Sequence, residues 1–333
     1  MERRTLGSHG PEVSSIGLGC MGMSVAYGVP DDAESLRTLD LAADLGVTLL
    51  DTADAYGRGA NEELLGSWLS RRSSRREGLV LATKFGLRHD AATGRVGDVD
   101  TSAEYVRPAC QASLRRLGTD HIDLYYAHRR NPDVPIEETV GAMAALVEAG
   151  DVRFLGLSEV GPGTLRRAHA VHPISAVQLE YSLFTRDVVE GEMLEVCREL
   201  GIAVVAYSPL GRAMLTGSVT SRDDLAEGDN RRRWPRFAEE NLGHNLTLVA
   251  AVRDVAAQSG CSPAQAALAW ILAQGDGIVP IPGTKKRRYL AENVSAADIV
   301  LSAEQLDSLR RAVPNGSVSG TRYPEQALAR LGH

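Results

Sequence analysis

No stretch of this 333-residue chain approaches the ~18 consecutive apolar residues that a transmembrane helix requires, so a helical membrane span is excluded. Its first residues, MERRTLGSHGPEV, lack the apolar core of a secretory signal, and a soluble cytoplasmic protein is expected. Cysteine is scarce. The four residues Cys20, Cys110, Cys197 and Cys261 lie far apart, with no C-x-x-C pair and no clustered metal ligands. Three of them fall in or at the edge of apolar segments and read as buried thiols, so no metal is expected. There is no excess of basic charge either. The net charge of −7 argues against a nucleic-acid footprint, although local basic clusters at 71–76, 231–233 and 285–288 suit anionic ligands. No low-complexity linker or composition break divides the chain, which reads as one domain over residues 1–333.

What is present is repetition. With 44% hydrophobic and 24% charged residues the profile is globular, and short apolar runs alternate with helical patterns almost from end to end. Eight runs read as strands: 15–21, 47–52, 79–85, 122–128, 152–158, 176–181, 203–209 and 277–283. Their near-continuous apolar character suits parallel strands covered on both faces. Between them lie amphipathic helices such as the one carrying Val140, Met143, Ala144 and Val147. Gly46, Gly118, Gly150 and Gly201 each stand where a helix closes before the next strand. Eight such units in this length predict a (β/α)8 TIM barrel, an α/β fold. A doubly wound sheet is the rival, but GLGCMG (17–22) lacks the G-x-G-x-x-G spacing. Outside the repeat, residues 4–17 read as a β-hairpin plug turning at His9-Gly10. Residues 210–245 form a connection long enough to be a functional loop, and an extra C-terminal helix, EQLDSLRRA, precedes a polar tail from Val313.

In such a barrel the site lies at the C-terminal strand ends. There the sequence delivers Asp51 and Tyr56 from strand 2, Lys84 from strand 3, His128 from strand 4 and Ser158-Glu159 from strand 5. Strands 6 and 7 add Gln178, Tyr181, Tyr207 and Ser208, and strand 8 runs into IPGTKKRR. Singly, each has a structural explanation: a turn cap, a half-buried aromatic, a hydrogen-bonded histidine. Lys84 inside LATKF is harder to account for that way, because a buried ammonium needs a partner and Asp51 on the adjacent strand can supply it. Lysine beside tyrosine favours phenolate and is expected to lower the Tyr56 pKa. Together with a neutral histidine the group can protonate an oxygen as it gains charge. It holds no nucleophile–base pair for acyl transfer, and its electron source must come from elsewhere.

The segments GLGCMGM, DTADAYG, LATKFG, DLYYAHR, VQLEYSLF, AYSPLGR and IPGTKKRRYLAEN resemble the aldo-keto reductases, and the resemblance covers essentially the whole chain. The branch it looks most like contains bacterial and plant reductases of small aldehydes and ketones, pyridoxal reductases among them. The resemblance implies a catalytic tetrad of Asp51, Tyr56, Lys84 and His128, with Tyr56 as general acid and NADPH as hydride donor. It implies that Ser158, Gln178 and Asp51 hold the nicotinamide side, with Gly19, Cys20 and Met21 beside it and Tyr207 stacking on the ring. Ser208, Pro209, Leu210, Gly211, Leu215 and Gly217 match a loop over the pyrophosphate. Ile281, Gly283, Thr284, Lys285 and Arg288 match the adenosine-phosphate pocket, and Glu292 and Asn293 its adenine contacts. A basic helix start at 285–288 suits a dianionic phosphate on physical grounds as well.

The expected partner is a small-molecule carbonyl substrate, bound near Tyr27, Tyr56, His128 and Trp234, with no nucleic acid or membrane and a monomer or homo-oligomer as the assembly. Three departures stand out: Glu159 where many relatives carry asparagine, Tyr289 where they place an arginine, and Arg130-Asn131 after His128-Arg129. Two other functions share the features. One is a non-catalytic NADP(H)-sensing subunit like the potassium-channel β subunits; the other is a Schiff-base lyase using Lys84, against which IPGTKK argues.

Overall fold

The computed structural model of the chain describes residues 1–90, 96–328 and 331. It opens with the antiparallel strands β1 (Arg3–Thr5) and β2 (Glu12–Ser14), the expected hairpin. All eight expected barrel strands follow, several shorter than their apolar runs: β3 (Leu18–Gly19), β4 (Leu49–Asp51), β5 (Val80–Phe85), then, after a side hairpin of β6 (Leu87–His89) and β7 (Val96–Val99), β8 (Ile122–Ala127), β9 (Val152–Ser158), β10 (Ile174–Glu180), β11 (Ala203–Tyr207) and β12 (Ile278–Pro280). They form one parallel sheet in the order β12-β11-β10-β9-β8-β5-β4-β3. A parallel bridge between Gly19 and Gly283 and a hydrogen bond from Gly17 N to Pro280 O (3.0 Å) join its two edges. The β6–β7 hairpin was not expected, because its residues carry charge and no clear period-2 pattern.

Helices pack outside: α1 (Asp32–Asp44), α2 (Ala60–Ser70), α3 (Ala103–Leu117), α4 (Ile136–Glu148), α5 (Pro162–Val171), α6 (Glu192–Leu200), α7 (Glu239–Gln258), α8 (Pro263–Leu272), α9 (Arg287–Ser295), α10 (Ala303–Ala312) and a last turn α11 (Glu325–Leu328). The four glycines expected at helix ends all have positive φ, between 63° at Gly118 and 81° at Gly150. The long connection after β11 holds four short 3-10 turns and gives way to α7 at Glu239, six residues before the expected boundary. The first turn of α7, EENL, is too polar to signal a helix from its pattern. Among the described residues no helix is long and apolar enough to cross a membrane. Cys20, Cys110 and Cys197 are buried as expected, and so are Trp68 and Trp270.

Strand alternation divides the core in two. Outward residues pack against the helices, whereas inward residues Leu49, Val80, Ala82, Leu124, Tyr126, Ala176, Ala203, Val205, Val279 and Ile281 fill the barrel. Leu6 and Val13 of the hairpin belong to this inner cluster and close its N-terminal end. A Cβ at Gly156 would lie 2.4 Å from the Tyr126 ring, so a glycine there lets Tyr126 occupy the interior. Because the period is two, the inward series continues to each strand's C-terminal end. Asp51 follows Leu49, Lys84 follows Ala82, His128 follows Tyr126, Gln178 follows Ala176 and Tyr207 follows Val205.

Candidate active site

These continued positions converge. Lys84 is fully buried, and its ammonium donates to Asp51 Oδ1 (2.5 Å), Thr52 O (2.7 Å) and Tyr56 Oη (3.4 Å). All three of its protons are therefore used. Asp51 takes a further hydrogen bond on Oδ2 from Gln178 Nε2 (2.7 Å). Since Lys84 donates to the phenol oxygen, the Tyr56 proton is left to point elsewhere, and the His128 ring stands edge-on to the Tyr56 ring at 5.7 Å. His128 Nδ1 is buried with no hydrogen-bond partner among the described residues. The four residues expected to act together are thus brought together.

Burial, reinforced by Arg129 and Lys84, pushes the His128 pKa well below its ordinary value, so its imidazole is neutral. Burial lowers Lys84, while Asp51 opposes that shift by charge and hydrogen bond. Tyr56 departs from expectation. Burial and then the negative charge of Asp51 raise its pKa well above the ordinary 10, with Arg129 the leading opposing cation. Lys84, 3.4 Å from the phenol oxygen, does not reverse this shift. The phenol is a firmly protonated donor.

The turn that carries Tyr56 is held from outside. The Asn61 side chain accepts from Thr52 Oγ1 (2.6 Å) and donates to Cys20 O (2.9 Å), tying β4 to the loop after β3. Glu62, fully buried, accepts from Thr83 Oγ1 (2.6 Å) and Arg116 Nε (2.6 Å). Asp54, unassigned by its sequence, donates its backbone N–H to Lys84 O (3.0 Å), and its carboxyl Oδ1 is buried without a partner among the described residues. Burial and then Glu62 raise its pKa from 3.8 to about 7. A raised carboxyl favours the folded state below 3.8 and loses that contribution as pH climbs through 7. Asp54→Asn is therefore expected to raise the melting temperature more at about pH 8.5 than at about pH 5, by roughly 2 °C or more; equal gains at both would contradict the assignment.

Beside this group Ser158, buried, accepts from Arg129 Nη1 (3.1 Å). Glu159, in the left-handed region at φ 54°, is fully engaged by the chain itself. It accepts from Tyr207 Oη (2.9 Å) and Glu180 N (3.1 Å), and Arg322 of the C-terminal tail grips both its oxygens at 3.1 Å. Burial opposes its ionisation, yet Arg322 and Arg129 hold the carboxyl below its usual range. The glutamate thus has a structural use: its carboxylate fastens the tail. Tyr323 follows, hydroxyl to hydroxyl with Tyr207 (3.0 Å) and edge-on to Trp234. Tyr27 and Trp234 meet edge-on at 6.2 Å, and Arg212 lies over Trp234 and Tyr323. Glu180, fully buried, pairs with Arg212 (2.9 Å) and Arg236 (3.3 Å) and pins the long connection to the barrel.

Away from the mouth, the backbone at Ser208, Gly211, Arg212 and Ala213 is left-handed, and the Leu210 and Arg212 N–H groups make no hydrogen bond among the described residues. Uncommitted amides in such a nest suit an oxyanion. Leu215 is buried beneath this loop, and Gly217 closes its 3-10 turn. A parallel bridge sets Gly19 beside Gly283, with Cys20 buried, Met21 opening the turn that follows, and Ile281 O only 2.9 Å from where a Gly19 Cβ would stand. Lys285 Nζ donates to Tyr27 O (2.6 Å) and Val29 O (2.7 Å), and Asn230 N to Ala26 O (3.3 Å), so these loops are tied to one another. Arg287 pairs with Glu34, whereas Arg288 lies on the Tyr289 ring and forms no ion pair among the described residues. Glu292 accepts from Ser262 Oγ (2.6 Å) and Asn293 is buried. These residues fit a dinucleotide: a nest for a pyrophosphate, and at the start of α9 a guanidinium that donates to Tyr289 Oη but has no acidic partner among the described residues, for a further phosphate. Tyr207 adds an aromatic at the end of β11.

Sequence reasoning missed Arg129, Glu180, Arg212, Arg322 and Tyr323. Only Glu180, an acid inside the apolar run VQLEY, carried a signal. Tyr181, expected at the strand ends, instead packs on Trp270 with its hydroxyl donating to Glu190, because its outward parity places it behind the barrel wall.

Residues 15–314 match the model of the aldo/keto reductase family. The chain is 45% identical to "Aldo-keto reductase yakc [NADP(+)]" of Schizosaccharomyces pombe over 321 residues, 96% of this chain and 94% of that protein. It is 45% identical to "Probable aldo-keto reductase 1" of Glycine max, covering 96% and 90%. Among solved structures it is similar to a glycerol dehydrogenase from Gluconobacter oxydans, with TM-score 0.81, 29% identity and coverage of 94% and 96%. It is also similar to an aldo-keto reductase from Bacillus halodurans, with TM-score 0.76, 30% identity and coverage of 94% and 96%.

Proposed function

The chain belongs to the aldo/keto reductase family, and from that premise we propose that it is an NADPH-dependent oxidoreductase that reduces small aldehydes or ketones to alcohols, with Tyr56 as general acid. The observation that carries this reading is the Asp51–Lys84–Tyr56 chain of hydrogen bonds with His128 across the Tyr56 ring. Bound NADPH supplies the hydride for the carbonyl carbon. Neutral His128 presents a ring N–H to the carbonyl oxygen and orients it, and Tyr56 gives its proton to that oxygen as negative charge develops. Lys84 then faces a forming phenolate, which its ammonium stabilises at hydrogen-bond range, while Asp51 and Gln178 hold the lysine side in place.

Support for NADPH comes from the relative named for NADP(+) and from Arg288, which has no acidic partner among the described residues. Arg288→Ala is expected to weaken NADPH binding about tenfold and leave NADH within about twofold, read by quenching of intrinsic fluorescence. The function itself is tested by NADPH consumption over a panel of carbonyls that includes pyridoxal. Sustained turnover is expected; a single turnover followed by retention of NADP⁺ would instead favour a cofactor-sensing role, and failure to bind either nicotinamide would end the reading.

A further inference from the structure

The strand ends carry an uneven charge balance. Asp51 is paired with Lys84, Glu159 with Arg322, and Glu180 with both Arg212 and Arg236. Arg129, on the loop directly after His128, forms no ion pair with any described carboxylate. Its side chain is half-buried. Nη1 donates to His128 O (2.6 Å) and Ser158 Oγ (3.1 Å), and Nε and Nη2 bond to nothing among the described residues. Its electrostatic neighbours are Tyr207, Tyr323, Glu159 and Tyr56, so it stands among the site groups. Glu159 is near enough to favour its charge, but both Glu159 oxygens are already bonded to Arg322. A half-buried guanidinium with an unbonded edge among the site groups is a ready partner for an anion. The nest at Leu210–Arg212 and the start of α9 already suit the phosphates of a dinucleotide, and a nicotinamide carboxamide is neutral. An anion on that edge therefore belongs to the other reactant.

We propose that Arg129 is a substrate-binding residue that selects carbonyl compounds bearing a carboxylate, taken by the uncommitted edge of its guanidinium while the carbonyl oxygen lies against Tyr56 and His128. This deepens the reductase reading and rests on it. A planar fork of N–H donors matches a carboxylate bidentately, and a lysine in its place keeps the charge but loses the fork.

The test compares the three carboxybenzaldehyde isomers with their methyl esters, which remove the charge, add one methyl group and make the aldehyde more electrophilic, so that intrinsic reactivity favours the esters. In the parent protein at least one acid is expected to exceed its ester in kcat/KM by about tenfold or more. Arg129→Met should cost the preferred acid about tenfold more than its ester, through KM, and Arg129→Lys should restore part of the difference. NADPH affinity, read by fluorescence quenching, should stay within about twofold in both variants. Acids no better than esters in the parent, or acids and esters falling together in Arg129→Met, would overturn the proposal. So would loss of NADPH affinity with the acid preference intact, which would assign Arg129 to the cofactor. Reduction of esters without any preference for acids leaves the reductase reading standing and sinks this one alone; no turnover of either class sinks both.

Discussion

Tyr56→Phe is expected to lower NADPH-dependent carbonyl turnover by about 10²–10⁴-fold, the range typical for removal of a positioned general acid, with NADPH affinity unchanged. The substitution deletes one oxygen, and the ring keeps its edge-on contact with His128. Lys84 keeps two of its three acceptors, Asp51 and Thr52 O, so the fold loses little. Turnover within a few-fold of the parent would refute the role. The pH profile gives an independent reading of the same group. Because burial and Asp51 raise the Tyr56 pKa well above 10, the phenol stays protonated and reduction should show no loss from Tyr56 between about pH 6 and 9. Alcohol oxidation needs the deprotonated form and should climb across that range. A reduction rate that falls with a midpoint near neutrality would show that another group supplies the proton.

Asp51→Asn is expected to be the most damaging substitution at the site for stability, at about 3–5 kcal/mol, because it leaves the fully buried Lys84 ammonium without a counter-charge. Turnover should fall by about 10²-fold as the lysine loses its fixed position against Tyr56. Burial already depresses the Lys84 pKa, and without Asp51 the amine can shed its proton to relieve the cost. The informative variant is the double one. Asp51→Asn with Lys84→Met removes both charges and retains a long apolar side chain, so it should regain much of the lost stability while turnover stays low. Urea unfolding and steady-state rates on the same preparations separate the two effects. If the double variant were as unstable as the sum of the single ones, the pair would not be coupled as its 2.5 Å contact implies.

Much of this organisation was legible in the residues. The eight apolar runs, the glycines between helix and strand, and Lys84 inside LATKF with Asp51 on the neighbouring run led to the barrel and to its reactive end. They did so because a parallel strand buried on both faces leaves a continuous apolar signature, and a lone cation within it demands a nearby anion. The rise of the Tyr56 pKa, opposite to the expected lowering, was not legible. It depends on the burial of the phenol and on its nearness to the Asp51 charge, and both are properties of packing.

The boundary between the two kinds of information runs through Glu159. Sequence by itself determined that strand 5 ends in Ser158-Glu159 at the C-terminal face of a barrel, since period-2 alternation and chain order decide which positions reach that face. Only the tertiary structure decided what the carboxylate does there. Arg322 lies 163 residues away in a tail with no periodicity, and Arg129, unlike Arg322, Arg212 and Arg236, forms no ion pair among the described residues. Local propensity and hydrophobic period act over a few residues, whereas the pairing of buried charges is settled by which groups the closed barrel and its loops bring within hydrogen-bond reach.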